Sequence, residues 1–366
     1  MNTGIFGGAF DPFHNEHRGI IECAKRELNL DRIVIVPSYI PPHKSGKLSD
    51  YSFRRETVRL GTADLSYVVI DDIEYERNTT NPTSVVLPLL KEKYPSDNFF
   101  FIMGGDSVKN FHKWINPQII ADTASLAVCA RSGCGDIFSA AEYVRSEYKA
   151  NVVILPFEGD WVSSSAIKAT AELGFPIYGV SEEVAEFIKE NSLYNRFADV
   201  IAMMKSDVPE STFMHCARVT VFAENFCGLL GLKYEDVFLS ALLHDNAKKI
   251  RKDIAGVPAP VVHQFVGAER AQSVYGIENA DILNAIRYHT TGRIEMSKLE
   301  KLIYCADMLE ENRSFPGVEQ LRELIFSDFE AGFRACVKAT LTHLKETGGE
   351  ICPLTEECAA YYDIDI

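Results

Sequence analysis

The feature that most constrains this chain is a change of hydrophobic period partway along it. Over roughly the first 200 residues, short apolar runs rich in Val, Ile and Phe alternate with helically spaced stretches. The runs cover residues 3–6, 32–36, 67–70, 98–102, 125–129 and 151–155, and the helical stretches include 16–28, 53–65 and 84–93. Strand–helix alternation of this kind predicts a doubly wound parallel sheet, with ligands at the carboxyl ends of its strands. Beyond about residue 200 the strand signals stop. Amphipathic helical patterns cover 212–230, 234–243, 263–275, 280–288 and 298–309. The expectation is therefore two domains: an N-terminal α/β, Rossmann-like doubly wound sheet over residues 1–197, and a C-terminal all-α bundle over 208–345. The polar stretch 195–209, with Pro209, marks the boundary. Residues 346–366 read as an acidic, solvated tail. A length of 366 residues and a hydrophobic fraction of 46% supply two cores.

Charge narrows the function. A net charge of −15 argues against a general nucleic-acid binder, which needs a basic footprint. A phosphate ligand must then be held by local cations, metal ions or helix N-termini. No apolar run is long enough for a bilayer, and the first residues lack the basic start of a signal peptide, so a cytoplasmic protein without membrane partners is expected. Nine cysteines without a C-x-x-C pair read as reduced thiols.

The first apolar run leads into Gly7-Gly8, Phe10-Asp11-Pro12 and His14-Asn15-Glu16-His17. Two glycines after a strand let backbone approach a phosphate, and a helix beginning near Glu16 aims its free N–H groups there. His14 and His17, three apart, share a face and suit charge stabilisation on phosphoryl oxygens. These residues resemble the signature of the nucleotidyltransferase superfamily, and more closely that of bacterial nicotinate-nucleotide adenylyltransferase. The resemblance spans about residues 1–195. It implies phosphate contact by Gly7, Gly8, Phe10 and, in Pro41-Pro42-His43-Lys44, by Lys44. It implies ribose contact by Gly104 and Asp106, stacking by Trp114, and ATP phosphate binding by Ser163, Ser164, Ser165 and Lys168. His14, His17, Lys44 and Lys168 would be the catalytic cations. The implied reaction is in-line attack of the 5′-phosphate of nicotinate mononucleotide on the α-phosphorus of ATP, with Mg²⁺ on the ATP. Three positions depart from the family pattern: Glu16 stands for a glycine, Lys168 for an arginine, and Asn81-Pro82-Thr83 for a Ser-Tyr-Thr segment of the mononucleotide pocket. They leave the acceptor open, phosphopantetheine being another candidate.

In the second half, His215, His244, His263 and His289 each sit in or at the end of an apolar helical pattern, as do Asp245 and Asp307. Imidazoles and carboxylates converging from several helices suit Fe, Mn, Zn or Co, and Asp245 suits a bridging role between two ions. The surrounding words, His215-Cys216-Ala217-Arg218, His244-Asp245-Asn246-Ala247-Lys248, His289-Thr290-Thr291-Gly292-Arg293 and Ala306-Asp307, resemble the HD phosphohydrolase superfamily. Residues 286–321 are similar to bacterial HD-type symmetrical bis(5′-nucleosyl)-tetraphosphatases. This resemblance implies His215, His244, Asp245, His263, His289 and Asp307 as metal ligands. It implies iron, as a pair, and cleavage of diadenosine tetraphosphate to two ADP. Asp245 and Lys248 join the catalytic set, and Arg218, Arg293 and Arg313 are candidates for gripping polyphosphate. His112 and His343 match no motif and read as bystanders. Other HD substrates, such as cyclic dinucleotides and deoxynucleotide triphosphates, stay open, as do a nucleotide-sensing role for the first domain and homo-oligomerisation.

Overall fold

A computed structural model describes residues 1–39, 48–78, 81–129, 136–157, 159 and 162–365. The chain forms two compact units: Met1–Ser164 with Ile177–Leu193, and Ser165–Pro176 with Tyr194–Ile366.

The first unit is built on six parallel strands: β1 (Asn2–Gly8), β2 (Arg32–Pro37), β3 (Val68–Ile70), β4 (Asn98–Gly104), β5 (Ser125–Cys129) and β6 (Val152–Leu155). Their order is β3-β2-β1-β4-β5-β6, and each corresponds to one of the apolar runs. Side chains alternate faces along each strand. Ile5, Val34, Val36, Phe101, Met103, Leu126 and Val128 fill one core. Phe6, Ile33, Ile35, Ile102 and Ala127 fill the other. Burying each large side chain contributes about 1.5–3 kcal/mol, so a sheet covered on both faces is strongly specified. The strand order reverses direction between β1 and β4, which are hydrogen-bonded neighbours. The crevice at such a switch point lies beyond the strand ends, where β1 finishes in Gly7-Gly8 and β4 in Gly104.

The second unit is all-helical. Helices Glu210–Glu224, Tyr234–Leu243, Val262–Ser273, Ala280–Arg287 and Lys298–Leu309 enclose a core of Phe213, Val237, Phe238, Leu242, Ile286, Leu302 and Ile303. Ser297 and Glu300 close the capping box S-x-x-E, each accepting the other's backbone N–H at 3.2 Å. That fixes the start of the helix carrying Asp307. Helices Val318–Ser327 and Phe329–Thr347 follow.

Three expectations change. The stretch expected to be a linker contains helix Ala198–Asp207, with Ile201 and Met204 in the second core. Segment Ser165–Pro176 belongs to the second unit because Ala169 and Leu173 enter that same core. The expected solvated tail is a docked helix, Pro353–Tyr361, with Cys352, Cys358 and Ala359 buried. The hydroxyl of Tyr362 accepts the Met296 N–H at 2.7 Å. Its acidic residues Glu356 and Glu357 are exposed while positions 352, 355, 358 and 359 turn inward, so charge on one face masked an apolar stripe on the other. Among the described residues, no helix is long and apolar enough to cross a membrane.

Candidate active sites

In the first unit, His14 is the N-cap of helix Asn15–Glu27. Its backbone N–H donates to His17 Nδ1 at 3.2 Å, and the two rings stack with centroids 3.7 Å apart. Because Nδ1 of His17 accepts, the neutral ring carries its proton on Nε2. Phe13 stacks on His17 at 5.4 Å and Phe10 meets it edge-on at 5.1 Å. Phe10 itself is 2% exposed. Its ring is a buried support for His17.

A cavity of about 500 Å³ opens at the ends of β1 and β4. Gly7, Gly8, Asp106, Trp114 and the segment Asn81-Pro82-Thr83 line it. Trp114 is braced by Phe111 and Phe101. Gly104 precedes the short helix that holds Asp106. Ser164 begins helix Ser164–Glu172, and its hydroxyl donates to the Pro12 carbonyl at 3.3 Å, with Ser163 and Ser165 beside it. Lys44 lies outside the described residues. Lys168 belongs to the second unit, where its ammonium sits 4.8 Å above the Tyr234 ring.

Two residues of this site were not anticipated. Arg54 is buried and donates to the carbonyls of Ala9, Ser49 and Tyr39 at 2.7, 3.0 and 3.1 Å, bracing the loop after β1. Glu74 lines the cavity and accepts the Tyr39 N–H at 3.1 Å. Burial pushes its carboxyl up to about 7, against the pull of that hydrogen bond and of Arg54. Neither residue falls in a glycine- or histidine-rich word, so nothing local in the sequence marks them.

In the second unit the six expected ligands converge. Asp245 Oδ1 is 3.2 Å from His263 Nε2 and 3.5 Å from His289 Nε2, while its Oδ2 is 3.7 Å from His244 Nε2. Asp307 Oδ1 is 2.9 Å from His215 Nε2 and 3.8 Å from His244 Nε2. Two overlapping groups result, His215–His244–Asp307 and His244–Asp245–His289, each compact enough for one ion.

A shared device orients three of the rings. His244, His263 and His289 each place Nδ1 2.7–2.8 Å from the carbonyl three residues earlier. A carbonyl only accepts, so each Nδ1 is protonated and each neutral ring turns a bare Nε2 inward. His263 and His289 present these nitrogens to each other at 3.2 Å. Among the described residues, the buried Nε2 of His244 has no hydrogen-bond partner. Lone pairs facing lone pairs and carboxylates are repulsive unless a cation lies among them. Lys248 meets Asp245 and His263, and Arg313 meets Asp307 and His215, which leaves the nitrogens of His244 and His289 without one among the described residues. The residues therefore fit divalent metal, with a nitrogen-and-carboxylate set suited to Fe, Mn, Zn or Co.

Electrostatics agree. Burial holds the His244 imidazole down at about 4, so it stays neutral. Burial opposes ionisation of Asp245 and Asp307, but the surrounding imidazoles outweigh it and hold both far below the carboxylate range. His215 differs: burial pulls it down, yet Asp307 and Glu310 carry it to about 9. Its Nδ1 lies 3.2 Å from Glu310 Oε1.

The candidate phosphate cations divide. Lys248 Nζ is 3.3 Å from both Asp245 and His263 Nε2. Arg313 donates to Asp307 Oδ1 at 2.6 Å and remains 43% exposed. Arg218 is paired with buried Glu310 at 2.9 Å. Arg293 is directed to Glu300, 2.7 Å away and wholly buried, an ion pair inside the capping turn. Arg322, unmarked in the sequence, donates to the carbonyls of Leu309, Glu310 and Arg313 and fixes the loop that presents Arg313.

Comparison with known proteins gives two family matches: cytidylyltransferase-like over residues 5–170, and HD domain over residues 212–312. The chain is 25% identical to a probable nicotinate-nucleotide adenylyltransferase/Ap4A hydrolase of Mycoplasma genitalium, over 93% of this chain and 98% of that one. It is 34% identical to a probable nicotinate-nucleotide adenylyltransferase of Geotalea daltonii, over 53% of this chain and 99% of the relative. A crystal structure titled as a predicted HD superfamily hydrolase involved in NAD metabolism, from Clostridium acetobutylicum, aligns with 28% identity and a TM-score of 0.44. It covers 46% of this chain and 96% of that one.

Proposed function

This chain belongs to the nicotinate-nucleotide adenylyltransferase family through its first half and carries an HD domain in its second; from that premise we propose a bifunctional enzyme. The first unit transfers AMP from ATP to nicotinate mononucleotide. The second hydrolyses diadenosine tetraphosphate symmetrically to two ADP.

For the transfer, positioning and charge stabilisation suffice, since phosphoryl chemistry asks little covalent work of the protein. The Nε2–H of His17, held by the bond at its Nδ1 and by Phe13, is a fixed donor for the α-phosphate. His14, stacked on it, adds a second. Trp114 offers the wall for a flat acceptor ring. Mg²⁺ accompanies the ATP.

For the hydrolysis, the carrying observation is the set of three Nδ1-locked imidazoles aimed with His215, Asp245 and Asp307 at one centre. His215, His244 and Asp307 would hold one cation, and His263, His289 and Asp245 a second, with Asp245 placed to bridge. A metal pair held there, iron in this reading, would supply Lewis acidity at the attacked phosphoryl group and an activated nucleophile. Lys248 and Arg313 offset polyphosphate charge at the rim.

Metal analysis with product analysis on diadenosine tetraphosphate tests the second activity. Two ADP are expected; AMP plus ATP rejects the symmetrical assignment. Pyrophosphate release across an acceptor panel tests the first. Turnover with phosphopantetheine and none with nicotinate mononucleotide overturns the acceptor.

A further inference from the structure

A second cavity, about 760 Å³, adjoins the HD centre; the segment 286–321 supplies much of its lining, and the helix Phe329–Thr347, which no motif marks, supplies most of the rest. His289, Asp307 and Arg313 line it at one end. Its walls are one face from each of three helices. Tyr304 and Met308 come from Lys298–Leu309, Leu321 and Leu324 from Val318–Ser327, and Ala339 and His343 from Phe329–Thr347. Phe315 adds a ring from the loop between the first two.

Asp307, His289 and Arg313 stand at the metal end; the other walls carry apolar side chains interspersed with Gln320, Thr340, Thr342, His343 and Glu346. A ligand matching that lining has an anionic end and a flat body with polar edges. The volume is that of a small-molecule site. Among the polar lining residues, Thr340 is occupied, accepting from Tyr304 and donating to the Cys336 carbonyl. His343 and Gln320 are exposed, and neither side chain makes a hydrogen bond, ion pair or ring contact among the described residues. Both reach the cavity with donor and acceptor capacity unspent.

We propose that this cavity is a nucleoside subsite: Phe315 gives the base a ring to stack on, and His343 and Gln320 are the specificity-determining residues that hydrogen-bond its edge. Aromatic stacking plus a few placed polar groups is the general way a base is held. The proposal rests on the hydrolase reading for the polyphosphate end alone.

The test uses the full metal-loaded chain. Diethyl pyrocarbonate labels exposed imidazole, and peptide mass spectrometry reads His343 directly. ADP is expected to protect His343, and pyrophosphate, which lacks a base, is not. In the His343→Ala/Gln320→Ala double variant, KM for diadenosine tetraphosphate rises about tenfold with kcat little changed, the loss of roughly one to two hydrogen bonds. Equal labelling with and without ADP, or an unchanged KM in the double variant, overturns the subsite. ADP protection in a protein that does not cleave the dinucleotide would sink the hydrolase reading and leave the subsite standing.

Discussion

The bare, buried Nε2 of His244 ties the second unit to metal at the scale of single atoms. In the proposed centre Asp245 would be ligand and bridge together, so Asp245→Asn should abolish metal retention. Losing several kcal/mol of charge stabilisation lowers hydrolysis by about a thousandfold or more, while AMP transfer stays near wild type. Retained metal and retained hydrolysis would refute the assignment. Glu310 acts through His215, so Glu310→Gln should weaken metal affinity by about 10- to 100-fold, as outer-shell partners do; equilibrium metal titration reads this. Glu74 makes a prediction with a defined sign. Its carboxyl, raised by burial to about 7, is neutral below that pH and anionic above it. An anionic mononucleotide entering the same cavity should bind more weakly as pH rises through 7. KM for the acceptor should therefore climb from pH 6 to 8 in the wild type and stay level in Glu74→Gln. Equal slopes would exclude Glu74 as the cause. The four histidines and two aspartates were singled out by the words around them, which resemble the HD superfamily; their place in or at the end of apolar helical patterns fits that reading without requiring it. Glu310 was not singled out, since it meets His215 across 95 positions and sequence spacing carries no trace of that. Arg293 resembled a phosphate cation by its word alone, and only the fold reveals Glu300 beside it.

Elements explain which parts of the fold could be read in advance. All six strands were visible because a sheet buried on both faces demands continuous Val, Ile and Phe. The helices Tyr234–Leu243 and Lys298–Leu309 were visible to the residue, their apolar faces being dense. Val318–Ser327 and Phe329–Thr347 were not assigned. The inward face of the latter joins the small residues Gly332 and Cys336 to Phe333, Val337 and Leu341, so an apolar spacing was present there and went unread. Gly332 shows why small residues are needed there: a Cβ at that position would lie 2.5 Å from Ile325 Cα on the neighbouring helix. Gly332→Ala should push these two helices apart at a cost of about 1–3 kcal/mol, the usual scale of overpacking. Both helices wall the second cavity, so the variant should raise KM for the dinucleotide more than it lowers metal content. A variant with lost metal and unchanged KM would place the strain elsewhere. Gly292 is a second such point. Its φ of +65° and a Cβ position 2.7 Å from Cys358 Sγ couple the turn after His289 to the C-terminal helix.

At the scale of the molecule, the change of period seen in the sequence corresponds to a division of physical labour. The parallel sheet provides a crevice of backbone and ring edges, while the helical unit concentrates buried donors that are costly without a cation. The division was legible; its line was not, because Ala169 and Leu173 lie in a segment whose motif resembles the first domain but whose apolar face enters the second core. This asymmetry predicts how the protein responds to metal removal. A cation that binds the folded helical unit and not its unfolded chain stabilises that unit by about 3–4 kcal/mol at 100 to 1,000 times Kd. For a unit of this size, that corresponds to a melting shift of about 10 °C. Exhaustive chelation should therefore lower the calorimetric transition of the helical unit, and re-addition of the metal should restore it. Asp245→Asn should start at the lowered value and ignore the chelator. The transition of the sheet unit, whose described residues form no such cluster, should hold still in all four conditions. If chelation moved both transitions equally, or neither, the six converging side chains would not be a folding-linked metal centre.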